Sequence, residues 1–121
     1  MNVKLALIPL ALLAAGSVFA ADADVTATGT AKTYDYQAED PATNPKYVVS
    51  NFKFVVSSNV ALKSKENTTA IAVQTANKKG RNNYSGISDG GSVTQCGDPT
   101  TGSTAPDVRE PNLTAVNGCG S

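Results

Sequence analysis

The chain has 121 residues, ten Lys/Arg against ten Asp/Glu, no histidine and two cysteines. That length suits one small domain with a modest core, and leaves little room for an internal ligand cavity. A formal net charge of zero hides a block pattern along the chain, and the missing histidine removes the commonest general base and the usual catalytic triads.

The first segment reads as an export signal. Lys4 precedes an apolar run from Leu5 to Phe19, and Val18 and Ala20 stand at the −3 and −1 positions of a signal-peptidase site. The run is shorter than the roughly 20 apolar residues a membrane span needs. Residues 1–20 are therefore expected to be cleaved, leaving a secreted, periplasmic or cell-surface protein with no membrane span. An oxidising compartment makes a disulfide between Cys96 and Cys119 the expected state of the two thiols.

Residues 21–45 read as an extended acidic arm and loop. Val25 to Thr33 alternates small apolar and hydroxyl residues with a period of two, the pattern of a strand, and Tyr34–Gln37 prolongs it. Its apolar side is thin, so it is expected to pair at an edge or with a partner. Asp40-Pro41 and Asn44-Pro45 mark a loop, because a residue before proline is pushed out of the helical region.

Residues 46–121 read as a small β domain with a loop-rich tail. Phe52, Phe54 and Val56 share one face of a first strand, Val60 and Leu62 lie in a second, and Ile71 and Val73 in a third. These seven are the expected core. Thr69, Ile71, Val73 and Thr75 fall on one side of the third strand and Ala70 and Ala72 on the other. Asn77–Asn83 and Asp89-Gly90-Gly91 are turn clusters, and Ser92–Cys96 a short last strand. From Gly97 onward the composition is that of a disordered tail. A Cys96–Cys119 bridge would pin it, worth about 3.5 kcal/mol on the chain-entropy argument.

The fold class expected is all-β: a small antiparallel sandwich or rolled sheet of five to six short strands with a disulfide-pinned C-terminal loop. Charge falls in blocks, acidic in residues 22–40, basic in 46–81 and acidic again from Asp89, which can pair within one chain or between copies.

No constellation of catalytic residues emerges, and no metal or cofactor is implied. Ser50 and Lys53 have the Ser-x-x-Lys spacing of some acyl enzymes, but lie in a strand-like run where that spacing separates them. The lysines alternate with core residues and read as a solvent face, so nucleic acid is not an expected partner. The function expected is that of an exported, non-enzymatic structural or surface protein, a subunit of an extracellular assembly that uses its N-terminal strand. The alternative is a small secreted or periplasmic binding or inhibitor-like protein that acts as a monomer. Its contact loop would run from Gly80 to Gly91, with Arg81, Tyr84 and Asp89 as the contact residues. Protein partners or self-association are expected in either case.

Overall fold

The structure, a computed structural model, describes residues 22–120. The expected signal peptide, residues 1–20, lies outside the described residues. Seven strands follow in chain order: β1 (Asp24–Thr26), β2 (Lys32–Tyr36), β3 (Phe52–Val56), β4 (Val60–Glu66), β5 (Ile71–Asn77), β6 (Asn83–Ile87) and β7 (Thr94–Gln95). The described residues contain no helix. Five strands make an antiparallel sheet in the order β1-β4-β5-β6-β7, and β2 and β3 pair as a separate antiparallel two-stranded sheet.

Local chemistry sets the turns. Between β4 and β5 the Asn67 side-chain oxygen accepts the main-chain N–H groups of Thr69 and Ala70, both at 2.9 Å. Asn77 does the same for Lys79 after β5. Asn59 closes the β3–β4 turn at φ 63, a left-handed conformation that asparagine tolerates better than most residues.

The sheet is covered differently on its two faces. On one face the β2–β3 layer packs over β1 and β4: Ala23, Val25, Ala27 and Val56 are buried, with Tyr34, Phe54, Val60 and Leu62 against them. On the other face lie the small and polar residues of β5, Ala72, Gln74 and Ala76, with Ala61 of β4 and Ser85 of β6. The C-terminal tail covers this face and buries Pro106, Val108, Pro111 and Gly118. Small side chains let the tail come close. A Cβ on Gly118 would stand 2.9 Å from Ser85 Oγ and 3.3 Å from Ala72 Cβ.

The tail is thus a third layer without regular structure, held by a Cys96–Cys119 disulfide with a Cα–Cα distance of 5.6 Å. The all-β class and the disulfide-pinned C-terminal region are as expected.

Three expectations need correction. The 25–33 strand is two strands, β1 and β2, broken between Thr26 and Lys32, where Gly29 takes φ 76. The division raises the strand number to seven among the described residues. The segment read as an extended arm pairs at the sheet edge, as expected, but it is integral to the fold. β1 pairs with β4 in the register Val25↔Leu62, and Val25 is 1% exposed. Its side chains are thin, but the β2–β3 layer closes over them. The core, finally, is not the seven residues expected. Val56 is buried, but Phe54, Val60, Leu62, Ile71 and Val73 are half-buried and Phe52 is 44% exposed. The covering layer is only two strands wide.

Candidate contact surface

Two strands cannot roof five. The uncovered part of the sheet carries Ile71, Val73 and Thr75 of β5 and Tyr84 of β6, which the register places side by side: Leu62↔Thr75↔Tyr84 and Ser64↔Val73↔Gly86. At the border with the β2–β3 layer, Tyr36, Phe52, Phe54, Leu62, Ile71 and Val73 line an apolar cleft of about 190 Å³. The cleft runs into a shallower groove lined by Ile71, Val73, Thr75, Tyr84 and Val93. No charged side chain lines either depression. Tyr84 is 43% exposed and Val93 73%, so the strip is accessible apolar surface of the kind that marks interaction sites. The aromatic wall is ordered by ring contacts, Tyr36 to Phe52 at 4.9 Å and Phe52 to Phe54 at 5.7 Å.

Of the expected contact residues, only Tyr84 belongs to this surface. Gly80–Gly91 is not one loop, because Asn83–Ile87 is strand β6. Arg81 precedes that strand and Asp89 follows it, at opposite ends of the sheet. The Arg81 Nε–H is committed to the Thr100 carbonyl at 2.8 Å, tying the turn to the tail. Phe52 and Val93 were not foreseen as contact residues. The bulky-versus-Ala alternation of β5 was their signal, since it leaves one side for a neighbour to cover.

Charge blocks meet within the chain. Asp24 pairs with Lys63 at 3.4 Å and Asp35 with Lys53 at 3.2 Å, joining the acidic segment to the basic centre. Glu110 of the tail pairs with Lys65. The hydrogen bond and charge of each partner hold the Glu110 carboxyl below its usual range and the Lys65 ammonium above its own. These groups are exposed, so each pair adds little stability. Ser50 is exposed and Lys53 is engaged with Asp35, so the Ser-x-x-Lys spacing brings no reactive pair together.

Polar groups gather in two places. Beside the disulfide, fully buried Gln74 accepts the Gly120 N–H at 3.2 Å, and Asn83 donates to the Asp107 carbonyl at 2.9 Å. Both line a small cavity with Asp98, Thr100, Asp107 and Arg109. At the end of β4, Glu66 is 4% exposed. Its Oε2 accepts the Val48 N–H at 2.9 Å, while buried Oε1 has no partner among the described residues. The Glu66 main-chain N–H donates to Asp22 Oδ1 at 3.1 Å. Burial pushes the Glu66 carboxyl up, the Val48 N–H pulls it down, and the neighbouring Asp22 carboxylate pushes it up again.

Among the described residues no group of three or more His, Cys, Asp or Glu side chains could hold a metal ion. No helix among them is long and apolar enough to cross a membrane. No family model, curated protein or solved structure matches this chain.

Proposed function

We propose that this is an exported, non-enzymatic structural or surface domain that works by protein contact, as a subunit of an extracellular assembly, with the open sheet face as its contact surface. The observation that carries the reading is the uncharged apolar strip from Phe52 through Val73 to Tyr84 and Val93, left uncovered by the two-stranded layer. The disulfide suits an oxidising compartment. The N-terminal apolar run with its Val18/Ala20 exit supports secretion with removal of residues 1–20.

The contact differs from an exchange of N-terminal strands. β1 already fills the edge of its own β4, and lending it to a neighbour would uncover Val25. The same observation favours the second reading, a monomeric binding protein that uses the same strip on a different partner.

Sedimentation and negative-stain microscopy of the processed protein separate the two. The assembly reading expects concentration-dependent oligomers, lost in a Tyr84→Lys/Val93→Lys variant whose thermal midpoint is unchanged. A strict monomer at all concentrations would end the assembly reading in favour of the monomeric one.

A further inference from the structure

The strands that carry the open strip end in charges of opposite sign. At one end β5 runs into the turn Lys78-Lys79-Gly80-Arg81 that leads to β6. The Lys78 N–H donates to the Asn59 carbonyl at 2.6 Å, which joins this turn to the one between β3 and β4. Lys32 comes to the same end, because it lies opposite Val56, the last residue of β3. At the other end β6 leaves through Ser88 and Asp89, and the Ser88 N–H donates to the Ile71 carbonyl at the start of β5 at 2.9 Å. The β2–β3 loop, with Asp40, returns there too: Tyr36 lies opposite Phe52, and the Tyr47 N–H donates to the Asn67 carbonyl of the β4–β5 turn at 2.7 Å.

Lys32, Lys79, Arg81, Asp40 and Asp89 are exposed, and Lys78 is half-buried. None of them enters an ion pair among the described residues, whose pairs are Asp24–Lys63, Asp35–Lys53 and Lys65–Glu110. Glu39 and Asp22 add to the acidic end, and Lys46 opposes them. Asp98 and Asp107 belong to the tail on the other face, where they line the cavity beside Gln74. The strip is thus uncharged along its length, cationic at one end and anionic at the other.

A sheet face that packs on a copy of itself does so about a two-fold axis, with the same patch on both sides. Packed sheets keep their strand directions within about 30° of a common line, which leaves two arrangements. An axis along the strands sets the cationic end on the cationic end and the anionic end on the anionic end. An axis across the strands sets each end on its opposite. Like charges brought together oppose association, and opposite charges fix orientation and register.

We propose that the open face binds a second copy of this chain about a two-fold axis lying across the strands. β5 and β6 of the two copies then run in opposite directions. The end of each copy that carries Lys32, Lys78, Lys79 and Arg81 meets the end of the other that carries Asp40 and Asp89. The inference rests on the assembly reading given above and adds to it the symmetry of the contact. The strip supplies the affinity, because exposed charges are screened by salt and contribute little each. The ends supply the orientation.

The test is sedimentation equilibrium of the processed protein beside three variants with unchanged thermal midpoints: Lys32→Glu/Lys78→Glu/Lys79→Glu, Asp40→Lys/Asp89→Lys, and the chain with all of these changes. Either set alone gives both ends one sign and is expected to lower the self-association constant about tenfold. The two sets together make the ends opposite again. That chain should associate with itself to within about threefold of the wild type, and should not pair with the wild type. Salt titration of the wild type needs no variant: association should weaken as ionic strength rises from about 0.05 M to about 0.5 M. Dimers indifferent to salt and to both reversals would overturn the proposal and leave the strip as the contact. Pairing of the fully reversed chain with the wild type would place the axis along the strands and overturn it equally. Polyphosphate that binds the wild type but not the Lys32→Glu/Lys78→Glu/Lys79→Glu variant, with self-association unmoved by the reversals, would give the cationic end to an anionic partner instead. A strict monomer at all concentrations would overturn the proposal together with the assembly reading.

Discussion

Val25 of β1 lies directly opposite Leu62 of β4, 1% exposed beneath the β2–β3 layer. A segment made mostly of Ala, Thr and Asp therefore supplies the most deeply buried side of the hydrophobic cluster. Val25→Ala is expected to cost about 2 kcal/mol, by analogy with other buried aliphatic truncations. Urea denaturation checks this. An unchanged midpoint would mean that β1 is a free arm after all.

The tail should depend on its bridge. Replacing both Cys96 and Cys119 by Ala is expected to lower stability by about 3.5 kcal/mol, the loop-closure figure for such a span. Amide exchange in residues 106–118 should accelerate first, because that layer has no strand ladder of its own. Thiol labelling of denatured, unreduced protein should find no reactive cysteine; two labelled thiols would contradict the bridge.

Gly118 gives a sharper probe of the same layer. Its φ of +73 and the 2.9 Å approach of a Cβ to Ser85 Oγ make Gly118→Ala strained on two counts. A loss of about 1–3 kcal/mol in thermal or chemical unfolding is expected. Gly102→Ala, at φ +64 but with open space around it, should cost less.

Glu66 makes stability depend on pH in a direction that can be worked out. Its folded pKa lies above the ordinary carboxylate value, chiefly through burial. Between those two values the native state holds a proton that the unfolded chain has released. Glu66 thus contributes stability below the ordinary value that is lost as pH rises through the raised one. The Glu110–Lys65 pair acts in the opposite sense, since the Glu110 carboxyl is lowered. The measurement is therefore the difference between wild type and Glu66→Gln across about pH 4 to pH 7. The variant is expected to gain on the wild type as pH rises; a gain as pH falls would contradict the assignment.

Much of this architecture was legible from residue order. The alternation in residues 71–75 sorted β5 into a bulky face and an Ala face, and the structure keeps that sorting. Asn67 and Asn77 announced the turns they close. What the alternation could not say is which face would be covered. Burial went to the Ala72–Gln74–Ala76 side because small residues let the irregular tail lie close, with Pro106, Val108 and Gly118 against the sheet. A tail poor in apolar residues gave no sign of that role. The bulky side was left half open for want of further strands beside β2 and β3. Tyr84 was picked out as an interface residue type, but its companions on the strip, Val73 of β5, Phe52 of β3 and Val93 just before β7, are far apart in sequence and share no motif. The buried environment of Glu66 was equally hidden, because Asp22 and Val48 reach it only through the fold.

The claim that the open sheet face joins copies of this chain in an assembly is tested most directly by following the methyl and aromatic NMR signals of the processed protein as its concentration is raised. The account expects shifts at Ile71, Val73, Tyr84, Val93 and Phe52. Val55 and Val116, which are 64% and 85% exposed at other places on the surface, should stay still. Shifts centred on Val55 or Val116 with the strip silent, or spectra that do not change with concentration, would contradict it.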